Sequence, residues 1–198
     1  MNYQDVLQFW FGEEEETPAY QKEKSRLWFG GEPATDAEIK RRFGAWVEEA
    51  AAGKLREWEQ RPASCLALVI LLDQFPLNIY RDKARSYELC DLALPIAIRA
   101  VDRKFDKELS PMQRSFLYLP FEHAEDLELQ RRSVALFRNL LQDSKSSFMK
   151  DWMQGNFDYA ERHLKVVERF GRFPHRNEAL GRLTTPEEKA FLAEGRPF

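Results

Sequence analysis

The residues best able to do chemistry in this chain are concentrated in Arg169-Phe-Gly-Arg-Phe-Pro-His-Arg-Asn-Glu-Ala-Leu-Gly-Arg182. Arg169, Arg172, Arg176 and Arg182, with Arg162 just before them, are interleaved with His175, Asn177, two phenylalanines and two glycines. Guanidinium groups are rigid donor forks that match carboxylate or phosphate oxygens. Gly171 and Gly181 allow backbone conformations that turn such groups inward. The stretch therefore reads as a fixed, cation-bearing corner, with Arg172, His175, Arg176, Asn177 and Arg182 as candidate ligands of a small anion. The competing reading is that these arginines bridge to Glu122, Glu125 and Asp126 and pin the C-terminal segment.

Three further residues could carry protons. His123 and His163 fall on the apolar stripes of the helices expected around them, where a histidine is either satisfied within the core or poised at a cavity. Asp73 terminates the most apolar run of the chain, and a buried carboxylate needs a cation or several donors. Arg81, Arg172 and Arg176 are its candidate partners, and Arg81 joins the candidate anion ligands. His123, His163 and Asp73 are thus the candidate catalytic residues, with a helix-end Asp–Arg clamp as the alternative for Asp73.

Searching for established chemistry excludes more than it finds. There is no phosphate loop, dinucleotide fingerprint, nucleophile elbow or His-Glu-x-x-His, so no cofactor is expected. Glu122-His-Ala-Glu-Asp126 gathers acids around a histidine, but the paired Glu-x-x-His motifs of a di-iron bundle are missing. No metal is expected. Cys65 and Cys90 are isolated among apolar neighbours and read as buried reduced thiols, which suits the cytoplasm.

The 198 residues carry a formal net charge of −3, which argues against nucleic-acid binding through bulk electrostatics. Sign is uneven: residues 1–60 hold eight Lys/Arg against thirteen Asp/Glu, while residues 162–182 hold six against two. A local basic patch on an acidic chain suits a small anion better than a duplex. No signal peptide is evident at the N-terminus, and the run Cys65 to Leu72 is too short to span a bilayer.

The elements that must position these residues are helical throughout. Thr17-Pro18, Ser110-Pro111 and Thr185-Pro186-Glu-Glu188 each pair a cap with proline at the first helical position. Thr35-Asp-Ala-Glu38 reads as a capping box opening another helix, and Asp82 as the cap of the one after Arg81. Pro62 starts a helix that is apolar on nearly all faces and should end at Phe75-Pro76. Pro120 is read as starting or kinking a long helix to about Gln142, with His123 and Gln130 on one stripe. A helix from Phe148 to Phe170 follows, with a division near Gly155-Asn156. Sustained period-two alternation is lacking. The expected fold is a single all-α domain over 1–198, with antiparallel helix pairs in a tetratricopeptide-like α-α superhelix or a compact helical array.

Leu72-Asp-Gln-Phe-Pro-Leu-Asn-Ile-Tyr-Arg81, Phe116-Leu-Tyr-Leu-Pro-Phe-Glu-His-Ala-Glu-Asp126 and Arg169 to Asn177, followed by Leu180-Gly-Arg182 and Thr185-Pro-Glu-Glu188, resemble a largely bacterial family catalogued as domain of unknown function 924. The resemblance spans essentially the whole chain. It implies an all-helical fold similar to tetratricopeptide superhelices and carries no activity with it. The chain departs from it at Leu77, where the family usually has arginine.

Two functional classes follow. One is a small-molecule enzyme or binding protein with an Arg/His-lined pocket for a carboxylate or phosphate. The other is a helical-repeat module that takes a peptide or protein partner and catalyses nothing. The density of His, Arg, Asn and Asp near helix ends favours the pocket. Neither a nucleic-acid nor a membrane partner is expected.

Overall fold

The computed structural model describes residues 2–195, and these contain helices and turns without a strand. The helices are α1 (Tyr3–Trp10), α2 (Pro18–Phe29), α3 (Pro33–Ala51), α4 (Pro62–Val69), α5 (Phe75–Ile79), α6 (Ala84–Asp102), α7 (Pro111–Glu122), α8 (Leu127–Asp143), α9 (Ser147–Phe170) and α10 (Pro186–Ala193). Thr17, Ser110 and Thr185 cap α2, α7 and α10 with their hydroxyls, and Thr185 and Glu188 form a reciprocal capping box.

Four local expectations are corrected. Helix α3 opens at Pro33, so Thr35 lies inside it: proline fixes the first helical φ two residues before the hydroxyl could act. Asp82 has φ 57°, a left-handed conformation, and Lys83 takes the cap position of α6. Helix α9 runs unbroken through Gly155 and Asn156. Pro120 lies within α7, which ends at Glu122, and α8 starts separately at Leu127 under an Asp126 cap. His123 is therefore the C-cap of one helix and Gln130 belongs to the next.

The stretch from Pro62 also continues past its expected end. Between α4 and α5 the chain forms a π-helical turn, Ile70–Gln74, in which the Phe75 N–H reaches back to the Ile70 carbonyl. A proline ring in an α-helix strikes the carbonyl four residues before it. The wider turn ahead of Pro76 moves that carbonyl aside, so helical structure persists to Ile79. It also sets Asp73 and Gln74 at an irregular spot inside the core, a common place for functional groups.

One apolar cluster joins residues from α1 to α9, with Trp10, Phe43, Phe75, Phe116 and Phe137 almost fully buried. The 18-residue stretch 62–79 is long and apolar enough to cross a membrane, yet 78% of it is buried here. It is the central helix of the core, against which α1, α3, α6 and α7 pack. Helix α8 lies against α7 and α9. A small second cluster, Val166, Val167 and Phe173 with Phe170 and Phe191, anchors the basic corner and α10 to the end of α9.

Candidate functional site

Asp73, on the π-helical turn, is completely buried. Its Oδ1 lies 2.8 Å from His123 Nδ1, and its Oδ2 accepts a hydrogen bond from the Gln74 amide. A carboxylate acceptor places the proton on Nδ1 and leaves the Nε2 lone pair to the cavity that His123 lines. The segment holding His123 is fixed on several sides. The Gln130 amide donates to the carbonyls of Glu122 (2.6 Å) and Ala124 (2.7 Å), and Arg176 Nη1 donates to the His123 carbonyl at 2.9 Å. This dyad joins residues 50 positions apart.

Beside it, the Glu122 side chain is 4% exposed, and its Oε2 has no hydrogen-bond partner. Burial, reinforced by the nearby Asp73 carboxylate, pushes its acid up to about 8. The carboxyl therefore holds its proton at neutral pH. Glu122 Oε1 is 3.4 Å from His163 Nδ1, which itself donates to the Tyr159 carbonyl at 2.9 Å. Burial drives His163 down to about 3, so the Glu122–His163 contact joins two neutral groups near pH 7.

Glu122 stands where two cavities meet. One, of about 280 Å³, is bounded by Gln74, Asn78, Arg81, Glu122, His123 and His163. The other, of about 460 Å³, has walls from Trp28, Met112, Phe116, Phe137 and Trp152, and Gly155 opens onto it. Both share Trp28, Phe29, Leu119, Glu122 and Tyr159, so they form one cleft between the C-terminal ends of α2 and α7 and the middle of α9. Phe29 (65% exposed) and Tyr159 (47%) leave aromatic surface in the cleft open to solvent.

The basic corner has a different geometry. Arg172 pairs with both oxygens of Glu188 at 2.7 and 2.9 Å and holds that carboxyl down to about 2. Arg182 pairs with both oxygens of Glu125 at 2.6 and 2.9 Å, and Glu125 also accepts the Phe173 N–H. The Asn177 amide donates to Glu188 and Thr184. Arg176 is buried between the Tyr87 and Phe173 rings, 4.8 and 4.4 Å from their centroids. Arg172, Asn177 and Arg182 thus knit the C-terminal segment, and Arg176 supports His123 from behind. Arg81 lines the smaller cavity but is already held by Asp36 at 2.8–3.1 Å.

Two of the three histidines share the cleft. The His123 and His163 rings are 6.5 Å apart, whereas His175 does not line the cleft and lies tilted against Phe173 at 5.8 Å, with His163 also in contact with Phe173 at 5.5 Å. The partner of Asp73 is His123, and none of the three expected arginines. Sequence reasoning treated Glu122 as an arginine partner and passed over Gln74, Cys90 and the aromatic chamber. An acid next to a histidine at a helix end, and a glycine in mid-helix, were the signals available.

One set of described residues has metal-ligand geometry: a carboxylate oxygen of Asp73, Cys90 Sγ and a His123 nitrogen lie within 4.8 Å of one another. The donors are otherwise engaged. Cys90 Sγ donates to the Asp73 carbonyl at 3.4 Å, burial and the Asp73 charge push its thiol well up, and His123 Nδ1 bonds Asp73. The three residues form a hydrogen-bonded network in which Asp73 holds His123 through its carboxylate and Cys90 through its backbone carbonyl.

A family model described as a bacterial protein of unknown function, DUF924, matches residues 6–196. The chain is also similar to a solved protein of unknown function, ATU0120 from Agrobacterium tumefaciens: 38% identity over 98% of this chain and 97% of the other, with a TM-score of 0.81. A search of curated proteins gives no match.

Proposed function

The chain belongs to the bacterial DUF924 family of unknown function, and from its own geometry we propose that it binds a small carbonyl compound in the two-chambered cleft and moves protons on it. The observation that carries this reading is a buried carboxyl with one oxygen unpartnered, beside an imidazole oriented by a buried carboxylate, both lining one cavity; burial favours the acid form of that carboxyl. Glu122 supplies the acid and His123 the base, two groups whose surroundings set them to opposite tasks.

In the proposed step, His123 Nε2 takes a proton from the carbon next to the ligand carbonyl. The C–H electron pair forms a carbon–carbon double bond, and the carbonyl oxygen takes the proton of Glu122. The product is an enol. The imidazolium is stabilised by Asp73 at 2.8 Å, and the reverse transfer returns both protons. Asp73 is a positioning residue. Arg81 gives the small chamber a guanidinium for an anionic head, shared with Asp36.

Deuterium exchange tests the proposal. Small 2-oxo acids, ketones and aldehydes are incubated with the protein in D₂O, and loss of the proton signal next to the carbonyl is followed by NMR. Exchange above the buffer rate is expected, lost in Glu122→Gln and in His123→Gln, while Glu122→Gln keeps the ligand-induced thermal shift. A compound that binds and exchanges equally fast with both variants would sink the assignment.

A further inference from the structure

We infer that the ligand is a 2-oxo acid with an aromatic tail, its ring seated in the larger chamber and its oxygens in the smaller. This rests on the preceding reading of Glu122 and His123 and adds the substrate class. The cleft is graded along its length. Arg81, Gln74, Asn78 and His123 line one end, Glu122 stands at the junction of the two chambers, and Trp28, Phe116, Phe137 and Trp152 contribute aromatic walls to the other.

The aromatic end is built for a flat ring. Trp28 and Phe116 meet edge to face at 4.6 Å, and Trp28 and Trp152 are tilted at 6.0 Å, so the chamber wall is a packed set of aromatic rings. A volume of about 460 Å³ leaves ample space for a phenyl group. Gly155 is the second observation. It lies in the interior of the 24-residue α9, where glycine is unfavourable, and its φ is not left-handed. A Cβ built on it meets nothing within 4 Å. Neither backbone conformation nor close packing calls for glycine there; Gly155 is exposed and lies at the mouth of the larger chamber.

The middle supplies the third. Glu122 Oε2 is an unpartnered, buried acid oxygen that borders both chambers, matched to a ligand oxygen that accepts a hydrogen bond. A 2-oxo acid places a carbonyl there, a carboxylate toward Arg81 and an exchangeable C–H between carbonyl and tail. Charge favours this order. Arg81 lines the smaller chamber and the acid Asp151 the larger, so a carboxylate head is drawn to the Arg81 end.

The test compares phenylpyruvate with pyruvate, which has the same head and no tail, by calorimetric titration of the full chain. Phenylpyruvate is expected to bind about ten-fold or more tighter than pyruvate, because the ring leaves water. That ratio should collapse toward one in Gly155→Leu, which adds a side chain at the mouth of the chamber, and fall part-way in Gly155→Ala, with both variants checked for wild-type helicity by circular dichroism. A phenylpyruvate/pyruvate ratio near one in the wild type overturns the inference, as does a ratio that survives Gly155→Leu. If pyruvate exchanges deuterium through Glu122 and His123 while the tail adds nothing, the substrate class falls and the acid–base reading stands. If neither compound binds, the substrate class falls as well.

Discussion

Glu122 and His163 together set an unusual dependence of stability on pH. Glu122 has its folded value raised from 4.5 to about 8, and His163 has its value lowered from 6.5 to about 3. Between pH 4.5 and 8 the unfolded chain has released the Glu122 proton that the native state keeps, so stability falls as pH rises. Between pH 3 and 6.5 the unfolded chain binds a proton that buried His163 refuses, so stability rises with pH. The two slopes, each about 1.4 kcal/mol per pH unit, cancel from pH 4.5 to 6.5. Above 6.5 only the Glu122 slope remains, and it removes about 2 kcal/mol by pH 8. Urea unfolding at fixed pH measures this directly. The wild type should show a plateau from 4.5 to 6.5 and a decline above it. Glu122→Gln should abolish the decline and uncover the rise below 6.5, while His163→Gln should start the decline at 4.5. Wild type and Glu122→Gln with parallel profiles above pH 6.5 would refute the claim that this acid is held protonated by burial.

Gly155→Ala should stabilise the chain by about 0.5–1 kcal/mol in urea unfolding, because the site is helical and sterically open; a loss of stability would mean that the space is not empty. Arg182→Ala leaves half-buried Glu125 with only the Phe173 N–H and should cost about 1–3 kcal/mol, against well under 1 kcal/mol for Arg41→Ala, whose pair with Glu38 is exposed. Cys65, pushed up to about 12 by burial, and Cys90, raised well above the usual thiol range by burial and the Asp73 charge, should resist a thiol reagent at pH 8 until the chain unfolds; labelling of native protein would contradict their burial. In Asp73→Asn the His123 ring should lose its fixed Nδ1–H tautomer, read as a change in its ring ¹⁵N shifts.

The helices were legible in the sequence because their signals are local. Thr17-Pro18, Ser110-Pro111 and Thr185-Pro186-Glu-Glu188 act within one turn of backbone, and the caps form where they stand. The apolar run from Pro62 marked the central helix for the same reason: no surface position tolerates six consecutive buried residues. Prolines were harder to read. In sequence Pro76 reads as a helix end and Pro120 as a helix start or kink, yet a π-helical turn absorbs one and the end of α7 tolerates the other. Whether a helix survives a proline depends on packing around it, which a single strand of sequence does not contain.

The chemistry divides in the same way. Sequence alone named Asp73, His123 and His163, each a polar residue in an apolar setting, and that anomaly is itself local. It also fixed the density of guanidinium groups between residues 169 and 182. What tertiary structure decided was the pairing. Asp73 met His123 across 50 residues, while Arg172 and Arg182 met Glu188 and Glu125. Each arginine had several acids within reach along the chain, so only the fold could choose among them. The character of Glu122 was decided last of all. In sequence it is an ordinary acid beside a histidine; burial at the junction of two cavities withholds water from its charge, and with the Asp73 charge nearby this favours the acid form at neutral pH.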